Sequence, residues 1–126
     1  MPVRSLNSPV MKWPDKKAVV DSLEEWASDL IKDQNDILGI GFFGSYARGD
    51  SGVGSDLDVI VILKDSDAPF EKRGLKWDLS KLPVPVDLLI YTIDEWIRLK
   101  EESSYFIKRL RREVKWIFII DSTLNL

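Results

Sequence analysis

The run LDVIVIL at residues 57–63 constrains the fold more than any other stretch of this chain. Apart from Asp58 it is apolar and rich in β-branched residues, so it reads as a buried strand of the kind found in sheets covered on both faces. Two further apolar runs, ILGIGFF at 37–43 and PVDLLIY at 85–91, read as strands, and VKWIFII at 114–120 as a last one. Between them lie helical patterns. Val19, Leu23, Trp26 and Leu30 recur at spacings of four, three and four, which predicts an amphipathic helix over 15–34 with Asp15 as its cap. Residues 69–81 are expected to form a crossover helix, weakened by Gly74. Thr92 and Glu95 form a capping box, and Tyr91 with Trp96 a hydrophobic staple, at the start of a helical region reaching about Arg112 with a break near Ser103-Ser104. This alternation predicts one α/β (α+β) domain over residues 14–126, a mixed sheet flanked by helices. Residues 1–13, with Pro2 and Pro9, read as a loose tail.

The glycines inside the first strand raise a competing possibility. Gly39-x-Gly41-x-x-Gly44 spells the dinucleotide-binding pattern, and Asp58 follows at a suggestive distance. That pattern needs its glycines in the turn after a strand and its acid at the far end of the next one. Here the glycines fall within the strand, and Asp56 and Asp58 stand at the beginning of the second.

A different arrangement fits better. Gly44-Ser45 sits where the first strand turns into a short helix over 45–49, where backbone N–H groups and a hydroxyl can hold phosphate oxygens. Asp56 and Asp58 are two apart on an extended chain, so both carboxylates face the same way. An antiparallel first pair of strands brings the turn and the acids to one end of the sheet. Asp87 occupies the same position in the third strand, and a parallel second pair brings it alongside. It stands inside an apolar run, where a buried carboxylate needs a partner. Three carboxylates so close repel by several kcal/mol at an effective dielectric of about 20.

The whole sequence contains no Cys and no His. That excludes disulfides, thiolate or imidazole zinc sites and histidine-dependent nucleophile systems. A metal here needs oxygen ligands and is therefore a hard cation such as Mg²⁺ or Mn²⁺. The net charge of -3 does not suit a free-standing nucleic-acid binder, so direct nucleic-acid binding is not expected. No apolar run approaches the roughly 20 residues of a membrane span, and no signal-peptide core opens the chain, so a soluble cytoplasmic protein is expected. An acidic magnesium site beside a phosphate-binding turn is the layout of metal-assisted phosphoryl or nucleotidyl transfer.

The stretch Gly44-Ser45-Tyr46-Ala47-Arg48-Gly49, followed by Ser55-Asp56-Leu57-Asp58, resembles the G-S-x-A-R-G-x(5)-S-D-x-D signature of the minimal nucleotidyltransferases, in the DNA polymerase β-like superfamily. Asp87 matches that family's third acid. The resemblance implies ATP as substrate with two Mg²⁺ ions, Mn²⁺ being an alternative. It implies Asp56 and Asp58 as metal ligands and Asp87 as a metal ligand or general base. Gly44 and Ser45 would bind the triphosphate, Arg48 would meet phosphate or only pair with Asp50, and Ser55 would support the acid pair. The chain ends soon after its core, so the acceptor is expected on a second molecule. Minimal nucleotidyltransferases often accompany a small HEPN-family toxin and, as antitoxins, transfer AMP to its tyrosine. Two alternatives stay open: an antitoxin or nucleotide-binding module that neutralises by complex formation alone, and an adenylyltransferase for a small molecule of the aminoglycoside type. Tyr46 and the five tryptophans read as packing residues. The basic cluster Lys108, Arg109, Arg111, Arg112 and Lys115 reads as a solvated helix face, with contact to RNA or an acidic partner as the lesser alternative.

Overall fold

The computed structural model describes residues 13–102, 104–120 and 126. The expected tail at 1–13 therefore lies outside the described residues except for Trp13, whose indole donates to the Tyr46 hydroxyl at 3.3 Å. Helix α1 spans Lys16–Asp33, and the Asp15 side chain caps it by accepting from the Ala18 N–H. Its buried stripe is Val19, Leu23, Trp26, Ala27 and Leu30, the periodic set with Ala27 added.

Strand β1 (Ile37–Phe43) leads into the single turn α2 (Ser45–Arg48), and β2 (Leu57–Leu63) and β3 (Val86–Thr92) follow. Helices α3 (Ile93–Glu101) and α4 (Tyr105–Glu113) precede the edge strand β4 (Lys115–Ile119). The sheet order is β3-β2-β1-β4. Strand β1 is antiparallel to both neighbours, whereas β2 and β3 are parallel. Gly39 and Gly41 are paired residues of β1, as the strand reading requires. A Cβ on Gly41 would come within 2.8 Å of the Lys115 carbonyl and 3.0 Å of the Trp116 ring, so glycine there lets β4 close on β1.

The pleat divides the core in two. Leu57, Val59, Val61 and Leu63 of β2 pack with the α1 stripe, Tyr46 and Ala47. Ile60 and Ile62 face the other way, onto Trp96 of α3 and Ile107 and Leu110 of α4. The helices stand on both faces of the sheet, as the continuous apolar run of β2 requires. The capping box at Thr92 and Glu95 is present, and Tyr91 lies against Trp96 with ring centroids 6.1 Å apart. The break between the last two helices falls before Ser104, which caps α4 through the Ile107 N–H. No helix among the described residues is long and apolar enough to cross a membrane.

The expected crossover helix does not form. Between β2 and β3 the chain makes only a 3₁₀ turn at Phe70–Lys72. Gly74 adopts a left-handed φ of 77°, with Ile90 Cδ1 pressed against the space a Cβ would fill. Pro83 and Pro85 keep the approach to β3 extended. Arg73 replaces helical hydrogen bonds with tertiary ones. Its side chain donates to the Ala68 and Ile90 carbonyls, each at 3.0 Å, and forks onto Glu95 at 2.5 and 3.1 Å.

Candidate active site

Register brings the motif residues together. Phe43 is paired with Asp58 across β1 and β2, so the Gly44-Ser45 turn begins beside that carboxylate. Asp58 is in turn paired with Asp87 across β2 and β3. Asp58 shares the pleat parity of Ile60 and Ile62, so it faces the layer of α3 and α4. Asp56, two residues earlier, and Asp87, of the same parity as Tyr91, belong to that face too.

Gly44 is buried, with φ 75° and ψ -150°, a conformation that suits glycine. A Cβ there would overlap Asp58 Oδ2, so the missing side chain makes room for the acid. The Gly44 carbonyl accepts from the Ala47 and Arg48 N–H groups, which closes α2 and turns Ser45 toward the cleft. That cleft, of about 340 Å³, is bounded by Gly44, Ser45, Arg48, Asp56 and Asp58 on the sheet side. Phe106, Arg109, Leu110 and Glu113 of α4 form its other wall.

Burial pushes the Asp58 carboxyl above its ordinary pKa, and the charges of Asp87 and then Asp56 push it the same way. Arg48 opposes them, while Glu113 adds to the repulsion. The acids are thus close enough to feel one another and lack full compensation. Their chemistry fits a hard divalent cation: oxygen donors on one face at one strand end, in a chain without softer ligands. Among the described residues no three acidic side chains stand together as a finished cage. Mg²⁺ at nucleotide sites is ordinarily held by one or two carboxylates together with substrate phosphates, so a finished cage is not required.

One expectation is corrected and two are refined. Asp87 is not the buried carboxylate that its apolar strand suggests; it is exposed at the sheet edge because β3 is an outer strand. It flanks the cleft from the neighbouring strand and does not line it. Ser55 does not line the cleft either. Its hydroxyl accepts from the Gly52 N–H at 2.9 Å, and its own N–H donates to the Gly52 carbonyl, so it folds the loop that delivers Asp56. Arg48 lines the cleft and also pairs with Asp50 at 3.2 Å, so the two readings of it are compatible.

Sequence reasoning misses the α4 wall. Arg109 belongs to the basic cluster that reads as a solvated face, and Glu113 carries no motif of its own. Arg48 reaches Glu113 across 65 positions of sequence, a separation at which no periodicity signals contact. The strong amphipathic spacing of Phe106, Arg109, Leu110 and Glu113 is the available hint.

Comparison with known proteins agrees with this geometry. The family model described as a nucleotidyltransferase domain matches residues 24–120. A protein of Methanocaldococcus jannaschii, named as a candidate protein adenylyltransferase, is 32% identical over 78 residues, covering 60% of this chain and 77% of the relative. Among solved structures, a candidate nucleotidyltransferase from Sulfolobus solfataricus superposes with a TM-score of 0.61 at 16% identity, covering 87% of this chain and 93% of that one. A toxin–antitoxin structure with AMP-PNP gives a TM-score of 0.54 at 21% identity, covering 81% and 77%. A mutant form of the toxin–antitoxin MntA-HpeT gives 0.55 at 23%, covering 81% and 76%. At these identities the structural likenesses show the shared fold.

Proposed function

The chain belongs to the nucleotidyltransferase-domain family, and on that premise we propose that it transfers AMP from ATP to a tyrosine hydroxyl of a HEPN-type toxin, acting as the antitoxin of the pair. The observation that carries this reading is the convergence of the Gly44-Ser45 turn with Asp56, Asp58 and Asp87 at one end and on one face of the sheet. The similarity to a candidate protein adenylyltransferase supports a protein acceptor, and the toxin–antitoxin neighbours support a toxin as that protein.

In this reading Gly44 and Ser45 hold the triphosphate through backbone N–H groups and the Ser45 hydroxyl. Asp56 and Asp58, with Asp87 at their side, would hold two Mg²⁺ ions. Bound magnesium supplies charge neutralisation of the attacking and leaving oxygens at the α-phosphate. Asp87, exposed at the strand edge, takes the proton from the acceptor hydroxyl as its oxygen bonds to the α-phosphorus. The bond from that phosphorus to the bridging oxygen breaks, and pyrophosphate leaves. The exposure of Asp56 and Asp87 lets a hydroxyl carried on a folded protein reach them.

Intact-mass measurement of the HEPN-type partner after incubation with this chain, ATP and Mg²⁺ tests the reading. Whole AMP increments are expected, absent with Asp56→Asn/Asp58→Asn. An unchanged partner mass in a stable complex would favour neutralisation by binding alone.

A further inference from the structure

Glu113 is badly situated for a carboxylate. It is the last residue of α4, where the helix dipole disfavours negative charge, and it adds to the repulsion felt by Asp58. Its side chain is only 14% exposed. Two guanidinium groups hold it there. Arg48 Nη1 donates to both carboxylate oxygens at 3.1 and 3.2 Å, and Arg109 Nε donates to Oε2 at 2.9 Å. Arg109, and after it Arg48, keeps the Glu113 carboxyl below its usual range against the penalty of burial. All three side chains line the cleft that contains Gly44, Ser45, Asp56 and Asp58.

The mode of pairing matters. Arg109 meets Glu113 edge-on through Nε alone, and its terminal nitrogens make no hydrogen bond among the described residues. Arg48 has Nε on Asp50 and Nη1 on Glu113, which leaves Nη2 in the same condition. A guanidinium anchored along one edge presents its remaining donors in a fixed direction, and such forks match phosphate oxygens. A purely structural i,i+4 pair would have no need of a second arginine from another element, nor of a place in the cleft.

We propose that Arg109 is a polyphosphate-binding residue of this site, working with Arg48, and that Glu113 is the positioning residue that aims both guanidinium groups at the β- and γ-phosphates of the nucleotide. This rests on the nucleotidyltransferase reading above and deepens it. The negative charge of the polyphosphate enters a cleft already lined by acids, and the two guanidinium groups are the positive side chains that line it.

The test is equilibrium binding of α,β-methylene ATP, which cannot be transferred, and of AMP, each with Mg²⁺. Arg109→Ala should weaken the triphosphate analogue about 10-fold or more while leaving AMP within about 2-fold, because only the former carries the phosphates at issue. Glu113→Gln should give a smaller loss of the same selective kind. The double variant should lose more than Arg109→Ala alone but less than the product of the two single losses, since Glu113 acts partly through Arg109 and partly through Arg48. Arg111→Ala, exposed on the same helix, should bind as the wild type does. Arg109→Gln serves as a second variant should the alanine variant melt early. Equal binding of the analogue by wild type and both Arg109 variants would overturn the proposal, as would an equal loss for analogue and AMP. If the wild type bound neither ligand, the nucleotidyltransferase reading itself would fall, an outcome distinct from either.

Discussion

Asp58 carries the electrostatic cost of the candidate site most clearly. Burial and two neighbouring acids raise its carboxyl above the ordinary range. A raised acid binds protons more readily folded than unfolded, so its share of stability is present at low pH and lost as pH rises through the folded value. In metal-free protein, Asp58→Asn should therefore raise the melting temperature at pH 7, with a gain that shrinks toward pH 3, while abolishing transfer. Thermal melts of wild type and variant across that range check it; a lower melting temperature at pH 7 would mean that the carboxylate is well compensated. Asp56 and Asp58 are legible in the sequence because strand alternation fixes their common face, and Gly44-Ser45 because its spacing to them is distinctive. Arg109 and Glu113 are not. Their role depends on α4 folding back over the start of β2, which no local pattern encodes.

At the level of elements, the strands and capped helices are readable because each carries its own signal: β-branched runs for β2, a four-three-four stripe for α1, the box at Thr92 and Glu95 for α3. The segment between β2 and β3 lacks such a signal, and a weak helical pattern there loses to tertiary demands. Trp26 donates to the Asp78 carbonyl at 2.9 Å, fastening the segment to α1. Arg73, only 7% exposed, fastens it to the β3–α3 junction. Glu95 answers both the Arg73 fork and the Thr92 N–H, and the arginine draws its carboxyl down to about 2. Arg73→Met should cost about 3 kcal/mol in urea unfolding at pH 7, because it leaves Glu95 without its partner. The contribution of Glu95 is complete above the ordinary carboxylate value of about 4.3 and is lost as pH falls toward about 2. The variant's deficit should accordingly narrow over that interval. A deficit constant from pH 6 to pH 2 would assign the stabilisation to packing of the arginine stem instead.

Across the whole molecule, three layers leave one corner where the candidate site gathers. The antiparallel β1–β2 pair delivers the glycine turn, the parallel β2–β3 pair delivers Asp87, and α4 closes the far wall. The mixed sheet is what allows this, since an all-parallel order would put the turn and the acids at opposite ends. Transfer of a nucleotidyl group and transfer of a terminal phosphoryl group both suit acids beside a phosphate-binding turn, and the label that reaches the acceptor separates them. The decisive measurement follows radiolabel from ATP carrying phosphorus-32 at the α-position or at the γ-position, with the proposed HEPN-type acceptor and Mg²⁺ present. Nucleotidyl transfer predicts that α-label alone becomes protein-bound while γ-label leaves as pyrophosphate, and that Asp56→Asn/Asp58→Asn abolishes the labelling. Protein-bound γ-label would contradict it.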